Sequence, residues 1–116
     1  MSSAVQLFIE LDLIEEKEAE FEAAFREVVD LAEKNQVRLS YDFYRDPSAP
    51  TKIYAIEKHE DADSLARHFQ VAMPALQKAW ACARPVRTLI LGDLPGHLKT
   101  MMEQNGCMVV PTWLER

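Results

Sequence analysis

The 116-residue sequence contains only three glycines and two cysteines, and this scarcity excludes several kinds of site. No glycine lies in a Gly-x-Gly-x-x-Gly or Walker-type loop, and no Gly-x-Ser-x-Gly elbow occurs. Cys82 and Cys107 lack the C-x-x-C spacing, and the three histidines lack the close spacing of metal ligands. We therefore expect no metal site, and two free thiols, with a disulfide as the open alternative.

Positive charge is also in short supply, with 13 Lys and Arg against 19 Asp and Glu, a net charge of -6 and a pI near 5.0. This balance argues against nucleic acid or an anionic membrane as the main partner. No apolar run has the length of a transmembrane helix, and residues 1–4 lack the basic and apolar regions of a signal peptide. These features predict a cytoplasmic protein.

Strand and helix patterns alternate along the remainder of the chain. A hydrophobic period of two predicts strands at 5–13, 37–45 and 51–58, and a nearly continuous apolar run predicts a fourth strand at 86–91. An i, i+3, i+4 period predicts a helix over 15–34 and a second helix that is capped by Asp61 or Asp63. Pro74 is expected to interrupt this second helix and to start a short new turn over 74–81.

The order β-α-β-β-α-β is typical of an α+β, ferredoxin-like sandwich with an antiparallel four-stranded sheet. We assign this domain to residues 1–92. Residues 93–116 form a C-terminal extension, with a short helix at 97–104 and a strand at 107–110. The extension is expected to pack on the same domain or on a dimer partner.

Two helices on one face of a sheet leave the other face open. In this chain the open face is predicted to carry Phe8, Tyr44, Tyr54 and Ile56. A face this apolar is usually covered, most simply by a second copy of the chain across a two-fold axis. We therefore predict a homodimer formed through the open face.

The stretch Ile56–Phe69 resembles the antibiotic biosynthesis monooxygenase family of dimeric α/β barrels. In that family a strand ends in Glu-x-Trp, an acidic turn follows, and a helix carries a His nine residues after the Trp. Glu57, Asp61 and His68 occupy the matching places, whereas His59 stands where the family usually has Trp.

The likeness spans about residues 5–92 and implies a function as well as a fold. Some members of the family oxidise phenolic or quinol substrates with O₂ and without a cofactor, some degrade haem, and others have no known reaction. The resemblance therefore implies a cofactor-independent monooxygenase that acts on a small apolar or aromatic molecule. The loss of the family's Trp motivates an alternative, a non-catalytic dimeric module that binds a ligand or serves a structural role. A haem-degrading enzyme is a weaker third alternative.

His68 is the candidate catalytic residue, because its spacing places it on the helix face that packs against the sheet. A neutral imidazole in that position can accept a phenolic proton or orient a substrate oxygen. The competing interpretation is a core histidine held by one hydrogen bond, to Glu57 or to a backbone carbonyl. A single histidine in an apolar stripe usually serves packing.

Five further side chains are predicted to contact the substrate: Tyr41, Glu57, His59, Phe69 and Trp80. Aromatic rings with polar tips can stack on a planar molecule and hydrogen-bond to it. Each has a structural alternative. Glu57 can brace the fold, Trp80 can plug the core, and His59 is expected to be a solvated loop residue rather than a pocket wall.

Overall fold

The computed structural model describes residues 4–115, which form three helices and one five-stranded sheet. The elements in chain order are β1 Val5–Leu13, α1 Glu18–Lys34, β2 Leu39–Asp46, β3 Ala49–His59, α2 Ala62–Trp80, β4 Ala83–Leu91, α3 Gly96–Gln104 and β5 Met108–Val110. This order confirms the predicted α+β, ferredoxin-like class. Within one chain the sheet is open rather than a closed barrel.

The strand order is β2-β3-β1-β4-β5, and every neighbouring pair is antiparallel except β4 and β5, which run parallel. The register sets Glu57 of β3 opposite both Leu7 of β1 and Tyr41 of β2. Directly paired residues point to the same face of a sheet. These three side chains therefore form one row beneath the helices.

The core lies between that face of the sheet and the helices. Alternate residues of β1 are buried there, from Val5 at 0% exposure to Leu13 at 7%. The apolar stripes of the two long helices cover them, with Val28 of α1 and Leu65 of α2 both at 0%. Each such side chain contributes about 1.5–3 kcal/mol through its burial. This packing holds the two long helices against the sheet.

Three prolines, Pro50 in β3, Pro74 in α2 and Pro85 in β4, lie inside regular elements, contrary to the sequence prediction. Helix α2 continues through Pro74, which was expected to break it. Ala72, Ala75, Leu76 and Ala79 are all buried on the sheet side, and this packing on both sides of the proline outweighs the lost backbone hydrogen bond.

Strand β4 similarly includes Pro85, which was placed before the strand. The pairing with β1 shifts register between Glu10 and Leu11, opposite Pro85 and Arg87. β5 pairs only with Leu89 to Leu91, so Pro85 lies where β4 has no outer neighbour. A bulge on an edge is a position that tolerates proline.

No helix among residues 4–115 is long and apolar enough to cross a bilayer.

The segment after β4 packs on its own domain. Leu98 and Met102 of α3 are 3% and 4% exposed and join the same core. β5 adds a fifth strand to the edge at β4, and Gly92 N–H donates to the Val110 carbonyl at 2.9 Å. Gly92 has φ +142°, and a Cβ there would lie 3.0 Å from the Ala4 carbonyl oxygen, so this tight crossing requires glycine.

The face of the sheet away from the helices is apolar at its centre. Phe8, Tyr44, Tyr54 and Ile56 share it, as the sequence predicted, and the rings of Phe8 and Tyr54 lie 6.1 Å apart. Strands β4 and β5 extend it with four more residues: Leu89, Leu91, Met108 and Val110. Met108 is 61% exposed. We call this surface the open face.

Candidate functional site

A cavity of about 310 Å³ lies between the helix-covered face of the sheet and helices α2 and α3. Four of the six residues predicted for the site line it: Tyr41, Glu57, Phe69 and Trp80. The other lining residues are Leu7, Ile9, Met73, Leu76, Pro85, Thr88, Met101, Met102, Asn105 and Cys107. The lining is thus mainly apolar with a few polar groups, which is the usual character of a small-molecule site.

Strand alternation and one helix cap build the polar side of the cavity. Glu57 and His59 are two apart on β3 and point to the same side, towards α2. Helix α2 is capped by Asp61, whose carboxylate accepts the Ser64 N–H at 2.8 Å. This cap fixes the first turn, so that Ser64 and His68, one turn apart, face the end of β3.

His68 lies behind the cavity wall and not in it. Its side chain is 0% exposed and is absent from the lining. Its Nε2 lies 2.7 Å from the Tyr41 hydroxyl oxygen and 3.8 Å from Glu57 Oε2. A molecule in the cavity therefore reaches Tyr41 and Glu57 first, and His68 only through them.

His59 is buried at 2% exposure, so the expectation of a solvated loop histidine was wrong. As the last residue of β3 it lies under the first turn of α2. Its Nε2 makes a short hydrogen bond with Glu57 Oε2, and its Nδ1 lies 3.0 Å from Ser64 Oγ. Ser64 Oγ in turn donates to the Arg38 carbonyl at 3.0 Å. Like His68, His59 does not line the cavity.

Burial governs the protonation of His68 and of Tyr41, the residue that links His68 to the cavity. Burial lowers the pKa of His68, the nearby Glu57 carboxylate opposes this, and His59 lowers it further. Burial raises the pKa of Tyr41 well above its ordinary value, and the charge of Glu57 and a hydrogen bond to it act in the same direction. At neutral pH the site therefore pairs a neutral imidazole with a protonated phenol.

One polar atom of this group is unusual. His68 Nδ1 is buried and has no hydrogen-bond partner among residues 4–115. Buried polar atoms are nearly always paired, and an unpaired donor is rarer than an unpaired acceptor. The missing partner of Nδ1 is therefore evidence for which of the two ring nitrogens of His68, Nδ1 or Nε2, carries the proton.

Several cavity residues were not predicted for the site. Met101, Met102 and Cys107 belong to the predicted C-terminal extension, outside the family likeness, yet they form one wall of the cavity. Burial raises the pKa of the Cys107 thiol. Ser64 was also missed, although its position three residues after a capping Asp61 marks it as a first-turn residue facing the end of β3. No sequence signal connects the α3 residues to the cavity, because the packing of α3 depends on the tertiary fold.

A second cleft, of about 650 Å³, lies between α1 and β2. Aromatic side chains form its floor, and Arg26 and Arg45 at its rim pair with glutamates of α1. Tyr41 is its one predicted site residue. Although this cleft is larger, the buried polar groups adjoin the smaller cavity, which we therefore take as the candidate site. Among the described residues, no group of three or more His, Cys, Asp or Glu side chains is arranged to hold a metal ion.

Comparison with known proteins assigns the chain to one family. Residues 5–79 match the family model described as antibiotic biosynthesis monooxygenase, which is well over half of the chain. The protein belongs to this family. The match ends within α2, so β4, α3 and β5 lie outside it. No curated protein matches the sequence.

Solved structures share the fold at low sequence identity. MupZ from Pseudomonas fluorescens is 17% identical, with a TM-score of 0.79, and the alignment covers 99% of this chain and 94% of MupZ. SnoaB from Streptomyces nogalater, a cofactor-independent oxygenase, is 14% identical with a TM-score of 0.66, covering 81% and 96%. A conserved protein from Methanosarcina mazei Go1 is 19% identical with a TM-score of 0.61, covering 75% and 87%. At such identities the likeness shows the fold alone.

Proposed function

We propose that this protein is a cofactor-independent monooxygenase that oxidises a small aromatic or quinol-like substrate with O₂. The observation that carries the proposal is the mainly apolar cavity whose polar groups include the Tyr41 hydroxyl and the Glu57 carboxyl, with His68 bonded to Tyr41 from behind. Membership of the monooxygenase family and a fold shared with an oxygenase support it. At about 310 Å³, the cavity is at the lower end of the roughly 300–1,000 Å³ range of small-molecule sites.

The cavity suits a planar phenol. Phe69 and Trp80 offer ring surfaces, and Tyr41 offers a hydroxyl group to the substrate oxygen. Removal of the phenolic proton gives an anion that supplies electrons to O₂ directly. One oxygen atom of O₂ becomes bonded to a carbon of the substrate, and the other is released as water. The protein contributes orientation and a site shielded from solvent. In this scheme His68 acts through Tyr41 and is a positioning residue.

The proposal is tested with 1-naphthol under ¹⁸O₂, because its oxidation to 1,4-naphthoquinone consumes one O₂ and releases one water. We expect O₂ uptake and one ¹⁸O atom in the quinone. Tyr41→Phe should lower the rate by about tenfold to a hundredfold, since it removes a hydrogen bond to a developing anion. Tyr44→Phe is the matched control, because Tyr44 lies on the open face and is 53% exposed. Equal rates for the two variants would contradict the role of Tyr41.

A non-catalytic ligand-binding module is the alternative, and the cavity, which side chains leave unfilled, is the observation in its favour. Isothermal titration under anaerobic conditions measures binding of 1-naphthol separately from oxidation. A ligand that binds and is recovered unchanged in air identifies the module.

We further propose that the protein forms a homodimer through the open face. The continuous apolar surface from Tyr44 across Ile56 to Met108 supports this, because monomeric proteins rarely expose so large a patch. Sedimentation velocity at micromolar concentration should give a dimer. Ile56→Asp should give a monomer, whereas Gln70→Asp, on the exposed side of α2, should not.

We also propose a cytoplasmic location. Cys82 and Cys107 are both free thiols, which is the usual state in a reducing compartment. Fractionation of cells that produce the protein tests this location directly.

A further inference from the structure

We infer that the Glu57 carboxylate, held in place by His59 and Ser64, is the base that takes the proton from the substrate. This inference rests on the proposed function. It assigns Glu57 as a catalytic residue, because Glu57 lines the cavity, and it assigns His59 as a positioning residue that acts through Glu57.

The chain is fixed at one end by the Arg38 carbonyl, which can only accept. Ser64 Oγ–H donates to it at 3.0 Å, so the Ser64 hydroxyl proton is already used. The contact of 3.0 Å between Ser64 Oγ and His59 Nδ1 must then be donated by His59. His59 therefore carries a proton on Nδ1, and a further proton lies in the short contact between its Nε2 and Glu57 Oε2.

The other end of the chain is fixed by the unpaired Nδ1 of His68. If Nδ1 carried the ring proton, a buried N–H donor would be left without a partner, which is the rarer defect. The proton is better placed on Nε2, which then donates to the Tyr41 oxygen at 2.7 Å. The Tyr41 hydroxyl is thereby free to donate towards the Glu57 carboxylate, the hydrogen bond that helps to raise the pKa of Tyr41.

These directions make Glu57 the acceptor on which the whole chain converges. It receives a hydrogen bond from His59 on the buried side, and the Tyr41 hydroxyl, on the residue paired with Glu57 across the sheet, is free to donate to it from the cavity side. A carboxylate with a cationic imidazole beside it satisfies both contacts, and a lone buried carboxylate would be costly. His59 thus supplies a balancing charge at the position where the family usually has Trp.

A phenolic substrate enters this arrangement between Tyr41 and Glu57. The substrate O–H bond breaks and a new O–H bond forms on Glu57. The negative charge moves from the carboxylate to the substrate oxygen, to which Tyr41 then donates. The imidazolium of His59 remains charged and balances the substrate anion. Tyr41 from β2 and the two α2 side chains Ser64 and His68 are the polar groups that face this pair, while the facing residues of β1, Val5 and Leu7, are apolar.

The first experiment needs no substrate and therefore separates this inference from the proposed function. Protein labelled with ¹⁵N-histidine is examined by NMR at pH 7, with the exposed His97 as the internal reference. We expect both nitrogens of His59 to be protonated and His68 to be neutral with its proton on Nε2. A neutral His59, or a His68 that carries its proton on Nδ1, would overturn the inference even if the protein proves to be an oxygenase.

The second experiment measures oxidation of 1-naphthol by Glu57→Gln across a range of pH. Loss of a general base typically costs about a hundredfold or more in rate. We expect such a loss near neutral pH and a recovery as the pH rises through the ionisation of 1-naphthol, because an ionised substrate needs no base. Lys58→Gln, which changes the exposed neighbour, should match the parent. A deficit that stays constant with pH would reject the assignment.

Ser64→Ala provides a milder variant in case Glu57→Gln does not fold. It removes the oxygen that accepts from His59 and leaves the Glu57–His59 contact in place. The ¹⁵N signals of His59 should change while those of His68 do not, and the rate should fall by about threefold to tenfold, the cost of one hydrogen bond of about 0.5–1.5 kcal/mol. Unchanged His59 signals would contradict the hydrogen bond from His59 Nδ1 to Ser64 Oγ on which the inference depends.

Discussion

His68→Leu separates a residue kept for function from a residue kept for packing. Replacement removes the 2.7 Å hydrogen bond to Tyr41, which is worth about 0.5–1.5 kcal/mol. It also removes the buried, unpaired Nδ1, whose burial costs about 1–3 kcal/mol. The two effects nearly cancel, and a leucine of similar volume fills the site. We therefore expect the variant to be no more than about 1 kcal/mol less stable than the parent.

The control is Leu65→Ala, one turn earlier on the same helix and likewise 0% exposed. It leaves a cavity in the core and should cost about 2–5 kcal/mol. Both values come from urea unfolding followed by circular dichroism, at one protein concentration, because self-association would shift the midpoint.

The same two variants are assayed for oxidation of 1-naphthol. His68→Leu should lower the rate by up to about tenfold, since Tyr41 loses the bond that orients it. A stable but slower enzyme is the signature of a residue that trades stability for activity. A His68→Leu protein that loses more than about 3 kcal/mol and keeps its rate would show that His68 serves the core, and would refute the reasoning.

Three other predictions follow from the structure. Because burial lowers the pKa of His68, this side chain takes up a proton at a higher pH in the unfolded chain than in the folded protein. The stability contributed by His68 should therefore be complete above about pH 6.5 and fall as the pH decreases below it. Because the pKa of Tyr41 is raised, stability should also fall as the pH rises above about 10. Unfolding curves at several pH values, repeated with Tyr41→Phe, measure the acidic pH range governed by His68 and the alkaline pH range governed by Tyr41. Leu98→Ala should cost about 2–5 kcal/mol, whereas Lys99→Ala on the exposed side of α3 should be close to neutral in the same urea assay. Iodoacetamide should label Cys107 slowly at pH 7, because burial raises its pKa, and 1-naphthol should slow it further by filling the cavity; labelling that is unaffected by saturating 1-naphthol would place the ligand elsewhere.

The sequence predicted the fold well because its periodic patterns are strong. The alternation from Val5 to Leu13 fixed both ends of β1, and the same alternation placed Tyr54 and Ile56 correctly on the open face. Pro74 was misjudged because a local rule was applied to a helix held by its packing on both sides. Propensity is a weak prior when tertiary contacts oppose it.

The site was predicted only in part. Tyr41, Phe69 and Trp80 were predicted from their positions on strands and helices and Glu57 from the family resemblance, and all four line the cavity. The burial of His59 was not predicted, because its sequence position at the end of a strand does not indicate that the first turn of α2 covers it. The wall formed by α3 could not be predicted, since contacts between residues far apart in sequence carry no periodic signal.

The division of the cavity between two parts of the chain has a consequence for how its selectivity can change. Much of the floor, including Glu57 and Tyr41, comes from strands inside the family-matched residues 5–79. The roof, with Met101, Met102 and Cys107, comes from the segment that follows β4, outside that match. Substitutions in the roof should reshape the space offered to a ligand without changing the groups proposed to take its proton. The ligands that this scaffold accepts can therefore vary while the proposed proton-transfer groups stay the same.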